Sequence, residues 1–115
     1  MQPVRITYDP EGDILYITFG QSTAATGYQL SDQLLLRVDP KTQKAAGLTI
    51  FNFSVHASTT RKLPLPGIDD DPDSKSLLLH LLTTPPVNHF LRLTKGKHRV
   101  SATLRSPSLQ EAVAA

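Results

Sequence analysis

Two Asp-Pro turns, each set against β-prone residues, constrain this chain more than any other feature. The first, Tyr8-Asp9-Pro10-Glu11-Gly12-Asp13, runs into Ile14-Leu15-Tyr16-Ile17-Thr18-Phe19. The second, Val38-Asp39-Pro40-Lys41-Thr42, leads to Gly47-Leu48-Thr49-Ile50-Phe51. Proline pre-sets φ at the second turn position, an Asx bond from Asp9 caps the first turn, and Gly12 is expected to take the positive φ near its end. Strands must then flank both turns.

The flanking residues have strand periodicity. Val4, Ile6 and Tyr8 alternate with Arg5 and Thr7, giving a half-buried strand. Ile14 to Phe19 is apolar on both faces and reads as a central strand. Residues 25–31 form a weaker strand, and Ser31-Asp32-Gln33 a tight turn. Leu34, Leu36 and Val38 share one face of a further strand, and Lys44 to Phe53 makes a long fifth. Gly47 marks a bulge or a close approach. The expected fold is α+β, with an antiparallel β-meander of five strands.

The remainder is expected to cover that sheet. Ser54 to Lys62 reads as a short helix, and Leu63-Pro64-Leu65-Pro66-Gly67 must be extended because proline bars helix there. Asp73 or Ser74 can cap a leucine-rich helix through Leu82. Thr84-Pro85-Pro86 ends that helix, and a late hairpin pairs Phe90 to Thr94 with His98 to Arg105. With 115 residues the chain holds a single domain, 1–115. Residues 5–55 form its β core, and 56–115 a helical and C-terminal extension.

Composition narrows the function classes. Cysteine is absent, which removes disulfides and thiolate zinc sites and fits a cytoplasmic location. The N-terminus lacks a signal-peptide pattern, and the apolar runs, Leu77 to Leu79 among them, are far too short to span a bilayer. His56, His80, His89 and His98 show no ligand spacing. His80, set among leucines, reads as a packed or interface residue. Asp9, Glu11 and Asp13 supply too few oxygens for a calcium loop, and the run Asp69 to Asp73 reads as a solvated linker before a helix. No nucleophile elbow or phosphate-binding glycine loop occurs. These residues point to no catalytic group, cofactor or metal.

Two surfaces remain. Leu77, Leu78, Leu81 and Leu82, with Leu79, make the 74–82 helix apolar nearly all round, so it is either buried on several sides or an interface. Non-enzymatic protein interaction, including self-association into a homo-oligomer, is the first functional expectation. The alternative is nucleic-acid binding. Arg92, Lys95, Lys97, Arg99 and Arg105 stand against Glu111 alone in the last segment and account for the net charge of +2. Phe90 is the one aromatic residue beside them.

The first half also resembles a small bacterial family, the domain of unknown function 2283. The resemblance rests on Tyr8-Asp9 with Asp13-Ile14-Leu15-Tyr16-Ile17, and on Val38-Asp39 with Gly47-Leu48-Thr49-Ile50. It covers residues 5–55 and departs from the pattern between residues 20 and 32, where the family is often acidic. The resemblance implies the β fold and no established activity. It also implies antitoxin-like binding of a small protein partner.

Overall fold

In a computed structural model, residues 4–20, 24–57, 62–70, 72–96 and 100–104 are described, with the backbone alone at 56 and 57. Five strands form an antiparallel sheet: β1 (Val4–Asp9), β2 (Ile14–Phe19), β3 (Thr26–Gln29), β4 (Leu34–Val38) and β5 (Ala45–Phe51). Three short helices follow: α1 (Phe53–Ala57), α2 (Gly67–Asp70) and α3 (Lys75–Leu82). A 3-10 turn spans Val87–His89. A second antiparallel sheet contains β6 (Leu63–Pro64), β7 (Leu91–Lys95) and β8 (Val100–Leu104), in the order β6-β8-β7.

The large sheet is not a meander. Its order is β1-β2-β5-β4-β3, with β5 between β2 and β4. Strands β3 to β5 follow one another by hairpins, and β2 returns to the far side of β5, a Greek-key arrangement. Burial explains the departure. Ala45 to Ile50 are all buried, whereas β3 is short, contains Gly27 and is largely exposed. The most apolar strand takes the centre, where neighbours on both sides cover it, and the most polar takes an edge. Strand β2 is internal, as its two apolar faces predict.

Local chemistry sets both hairpin turns. Asp9 Oδ1 accepts the Glu11 N–H at 3.1 Å, and Asp39 Oδ1 accepts the Lys41 N–H at 2.8 Å, so each aspartate caps its turn through an Asx bond. The left-handed residue is the fourth after each aspartate: Asp13 at φ 56° and Gln43 at φ 59°. The expectation that Gly12 takes the positive φ is therefore corrected. Aspartate tolerates this region because its short polar side chain bonds locally. The register shifts between Arg37 and Val38, where Arg37 pairs with Gly47 and Val38 with Ala45, leaving Ala46 as the extra residue. A Cβ at Gly47 would lie 2.9 Å from the Ile17 carbonyl oxygen, so the bulge and the close approach expected there both occur.

One apolar cluster unites the two sheets. From the large sheet come Leu15, Ile17, Leu34, Leu36, Leu48 and Ile50; from the later segment come Leu65, Ile68, Leu78, Leu82, Leu91 and Ala102. Phe19 meets Phe90 with ring centroids 6.1 Å apart, and the Gly67 N–H donates to the Leu30 carbonyl at 2.8 Å. The core face of the sheet thus meets a small mixed unit of strands and short helices, rather than one covering helix. The reason lies in helix length: α3 ends at Leu82 and is too short to cross five strands.

Candidate interaction surface

The Tyr-Asp motif turns out to be structural. The Tyr8 hydroxyl donates to Asp13 Oδ1 at 2.7 Å. Asp13 also accepts the Ser54 N–H at 3.0 Å and the Ser54 hydroxyl at 2.7 Å, while its carbonyl accepts the Phe53 N–H at 3.0 Å. One residue of the first hairpin therefore satisfies the leading N–H groups of α1, which no intrahelical partner can satisfy. Asn52, at φ 53°, turns the chain from β5 into that helix. Tyr8 packs edge-on against Phe53, at 5.9 Å between centroids. The hydrogen bond to Asp13 is the main cause of an upward shift in the Tyr8 phenol pKa. Among the described residues no three His, Asp or Glu side chains gather as a cation site.

The two faces of the large sheet differ. Directly paired residues share a face, so Ile6, Tyr8, Leu15, Ile17, Leu34, Leu36, Leu48 and Ile50 point to the core, and Val4 lies on the same side but is exposed. The opposite face carries three rows across the strands. The central row runs Thr7, Tyr16, Thr49, Leu35, Gln29. On one side lie Asp9, Ile14 and Phe51, ending at Gln33, whose carbonyl accepts the Phe51 N–H at 2.8 Å. On the other side lie Arg5, Thr18, Gly47, Arg37 and Gly27. Ile14, Tyr16, Leu35 and Phe51 belong neither to the core cluster nor to the partly buried residues packed against it. Tyr16 is 39% exposed. This open, apolar-centred face is the candidate surface. Period-two alternation marked Ile14, Tyr16, Leu35 and Phe51 as facing away from the other apolar set, but only the pairing register assembles them.

The leucine positions lie elsewhere. Leu78 and Leu82 are buried, Leu81 nearly so, and Leu77 is half-buried against the core. Within a single chain they already fill the interior and offer little area to a partner. His80, expected to be a packed or interface residue, is not packed within the chain but exposed, and its carbonyl accepts the hydroxyl of Thr84 at 2.8 Å. At about 100° per residue, His80 lies about 200° round α3 from the buried Leu78 and so faces outward.

Of the basic set, Arg92 and Lys95 are exposed on β7. Strand alternation places them on opposite faces. Lys97, Arg99 and Arg105 lie outside the described residues. In the acidic run, Asp69 pairs with Lys75 at 2.7 Å on the surface, and Asp71 lies outside the described residues.

Surface grooves occur among the described residues. One, of about 390 Å³, lies between the Ser31–Gln33 turn and Pro64, Pro66 and Gly67. Another, of about 490 Å³, lies between the second Asp-Pro turn and His80, Leu81, Thr84 and the prolines Pro85 and Pro86. No helix among the described residues is long and apolar enough to cross a membrane.

No curated protein and no solved structure matches the chain. Residues 5–54, which carry the five-stranded sheet, its two Asp-Pro turns and the start of α1, match the family described as Protein of unknown function (DUF2283).

Proposed function

We propose that this protein is a non-enzymatic protein-interaction module, with the open face of the five-stranded sheet as its contact surface. The observation that supports this reading is the group Ile14, Tyr16, Leu35 and Phe51, which lies outside the core cluster and around Thr49 at the sheet centre. An antiparallel sheet with a solvated face ordinarily alternates apolar-in and polar-out. Here Ile14 and Tyr16 on β2, Phe51 on β5 and Leu35 on β4 face outward, and aromatic residues are enriched at interface centres. Arg5, Arg37 and Asp9 form a charged border, as expected of an interface rim. The role assigned from sequence to the α3 leucines moves to the sheet, because Leu78, Leu81 and Leu82 are already occupied inside the chain.

The reading is tested with a photo-reactive phenylalanine analogue in place of Tyr16 in living cells. A discrete cross-linked product, whatever its mass, is the expected result. The same analogue at Val55, which is 60% exposed on α1, is the control for random collision. Equal yields at the two positions, or none at Tyr16, would remove the open face as a contact surface.

A further inference from the structure

Resting on that reading, we propose that the occupant of the open face is a second copy of this chain. The two sheets pack face to face about a two-fold axis that runs along the central row Tyr16–Thr49–Leu35. The three rows of the face are self-complementary about that axis.

A two-fold axis in the plane between two sheets, perpendicular to the strands, reverses strand direction but keeps the strand order. Every residue of the central row then faces itself, and the two outer rows exchange. Arg5 falls opposite the partner copy's Asp9, since both lie on β1 at opposite ends of the face. Symmetry makes that pair twice. Phe51 falls opposite the partner copy's Gly47, since both lie on β5. Gly47 is the one position of the buried central strand without a side chain, and the atoms nearest to a Cβ built there are the Ile17 carbonyl and the Arg37 stem. Gly47 is buried beneath the Arg37 stem, so the facing ring rests on that stem, at the one position where no β5 side chain stands in its way. Thr18 faces Ile14 and Arg37 faces Gln33, so no like charges meet.

The other in-plane axis, parallel to the strands, fails on the same residues. It lays the row holding Arg5 and Arg37 upon itself, and four guanidinium groups then crowd one end of the interface. Like-charge juxtaposition across an interface is strongly disfavoured. Facing sheets pack about 10 Å apart with strands crossing at about 30°, a geometry the natural twist supplies. Five strands about 4.8 Å apart and five residues at about 3.4 Å each give a face of roughly 24 by 17 Å. That is roughly 800 Å² in projection for the pair, below the ~1,200 Å² where standard interfaces begin, so the dimer dissociates on dilution.

The purified full chain provides the test. It has no cysteine, so a single introduced thiol reports one contact. Light scattering across a dilution series should show a dimer at high concentration giving way to monomer. Leu35→Cys, on the axis, should form a covalent dimer with a short bis-maleimide, whereas Val55→Cys should not. Arg5→Glu, which sets an acid against the partner's Asp9, should weaken association at least tenfold with the circular dichroism spectrum unchanged. Phe51→Ala should also weaken it. A monomer at every concentration would overturn the proposal, and so would a dimer in which Val55→Cys cross-links as well as Leu35→Cys. A monomer that still gives a Tyr16 photo-adduct of other mass in cells would leave the interaction-module reading standing and assign the face to a different protein.

Discussion

The carboxylate of Asp13 holds both the backbone N–H and the hydroxyl of Ser54, a residue 41 positions further along the chain. The same carboxylate accepts the Tyr8 hydroxyl, so the first hairpin, the start of α1 and the aromatic pair Tyr8–Phe53 form one unit. Asp13→Ala removes the side-chain hydrogen bonds from Tyr8 and Ser54 and leaves in the left-handed backbone a residue with no polar group to offset the strain. We expect a loss of about 2–4 kcal/mol in urea unfolding. Asp13→Gly restores the backbone freedom and should recover roughly 1 kcal/mol of that loss. If the two variants are equally stable, φ strain plays no part at this position.

The Tyr8–Asp13 bond carries a pH signature. Hydrogen bonding to Asp13, then burial and the charges of Asp13 and Asp9, raises the phenol above its ordinary 10.0. Only the protonated phenol donates. Its contribution is therefore complete below the unfolded value and is lost as pH rises through the higher folded value. The stability gap between the native chain and Tyr8→Phe should be largest near neutral pH and shrink above about pH 10. A gap that is constant from about pH 8 to about pH 11 would contradict this.

Gln43 occupies the same turn position as Asp13 with a poorer residue. At φ 59° it is exposed, and its N–H donates to the Asp39 carbonyl at 2.8 Å. Glycine keeps that backbone bond and relieves the left-handed strain. Gln43→Gly should stabilise the protein by roughly 0.5–1 kcal/mol, measured as a raised thermal midpoint.

Gly67 fixes the contact between the two halves. Its N–H bonds the Leu30 carbonyl, and a Cβ would lie far inside the contact distance of the Gln29 carbonyl oxygen. Because the obstructing atoms are backbone, no rotamer change can relieve the clash. Gly67→Ala should cost about 2–4 kcal/mol. It should also speed amide exchange in β6 and α2 more than in β2 and β5. Uniform acceleration across both sheets would mean that the contact is not a local hinge point of stability.

Much of the fold follows from sequence because its causes are local. Asp9-Pro10 and Asp39-Pro40 choose their turns within a few residues, and period-two alternation marks β1, β2, β4 and β5 without reference to anything distant. The late hairpin of β7 and β8 and the extended Leu63–Pro64 are set in the same way. Tertiary structure decided what local causes cannot. Strand β5 lies beside β2 because burial ranks strands against one another, and that ranking depends on the whole chain. Asp13 takes the left-handed position as Gln43 does in the second turn, but its carboxylate finds a partner, Ser54, that no turn rule contains. The α3 leucines have the same apolar pattern whether they line an interface or an interior; packing against the second sheet placed Leu78 and Leu82 inside. The candidate surface exists only through register. Tyr16, Thr49 and Leu35 are scattered along the chain, and antiparallel pairing alone aligns them in one row.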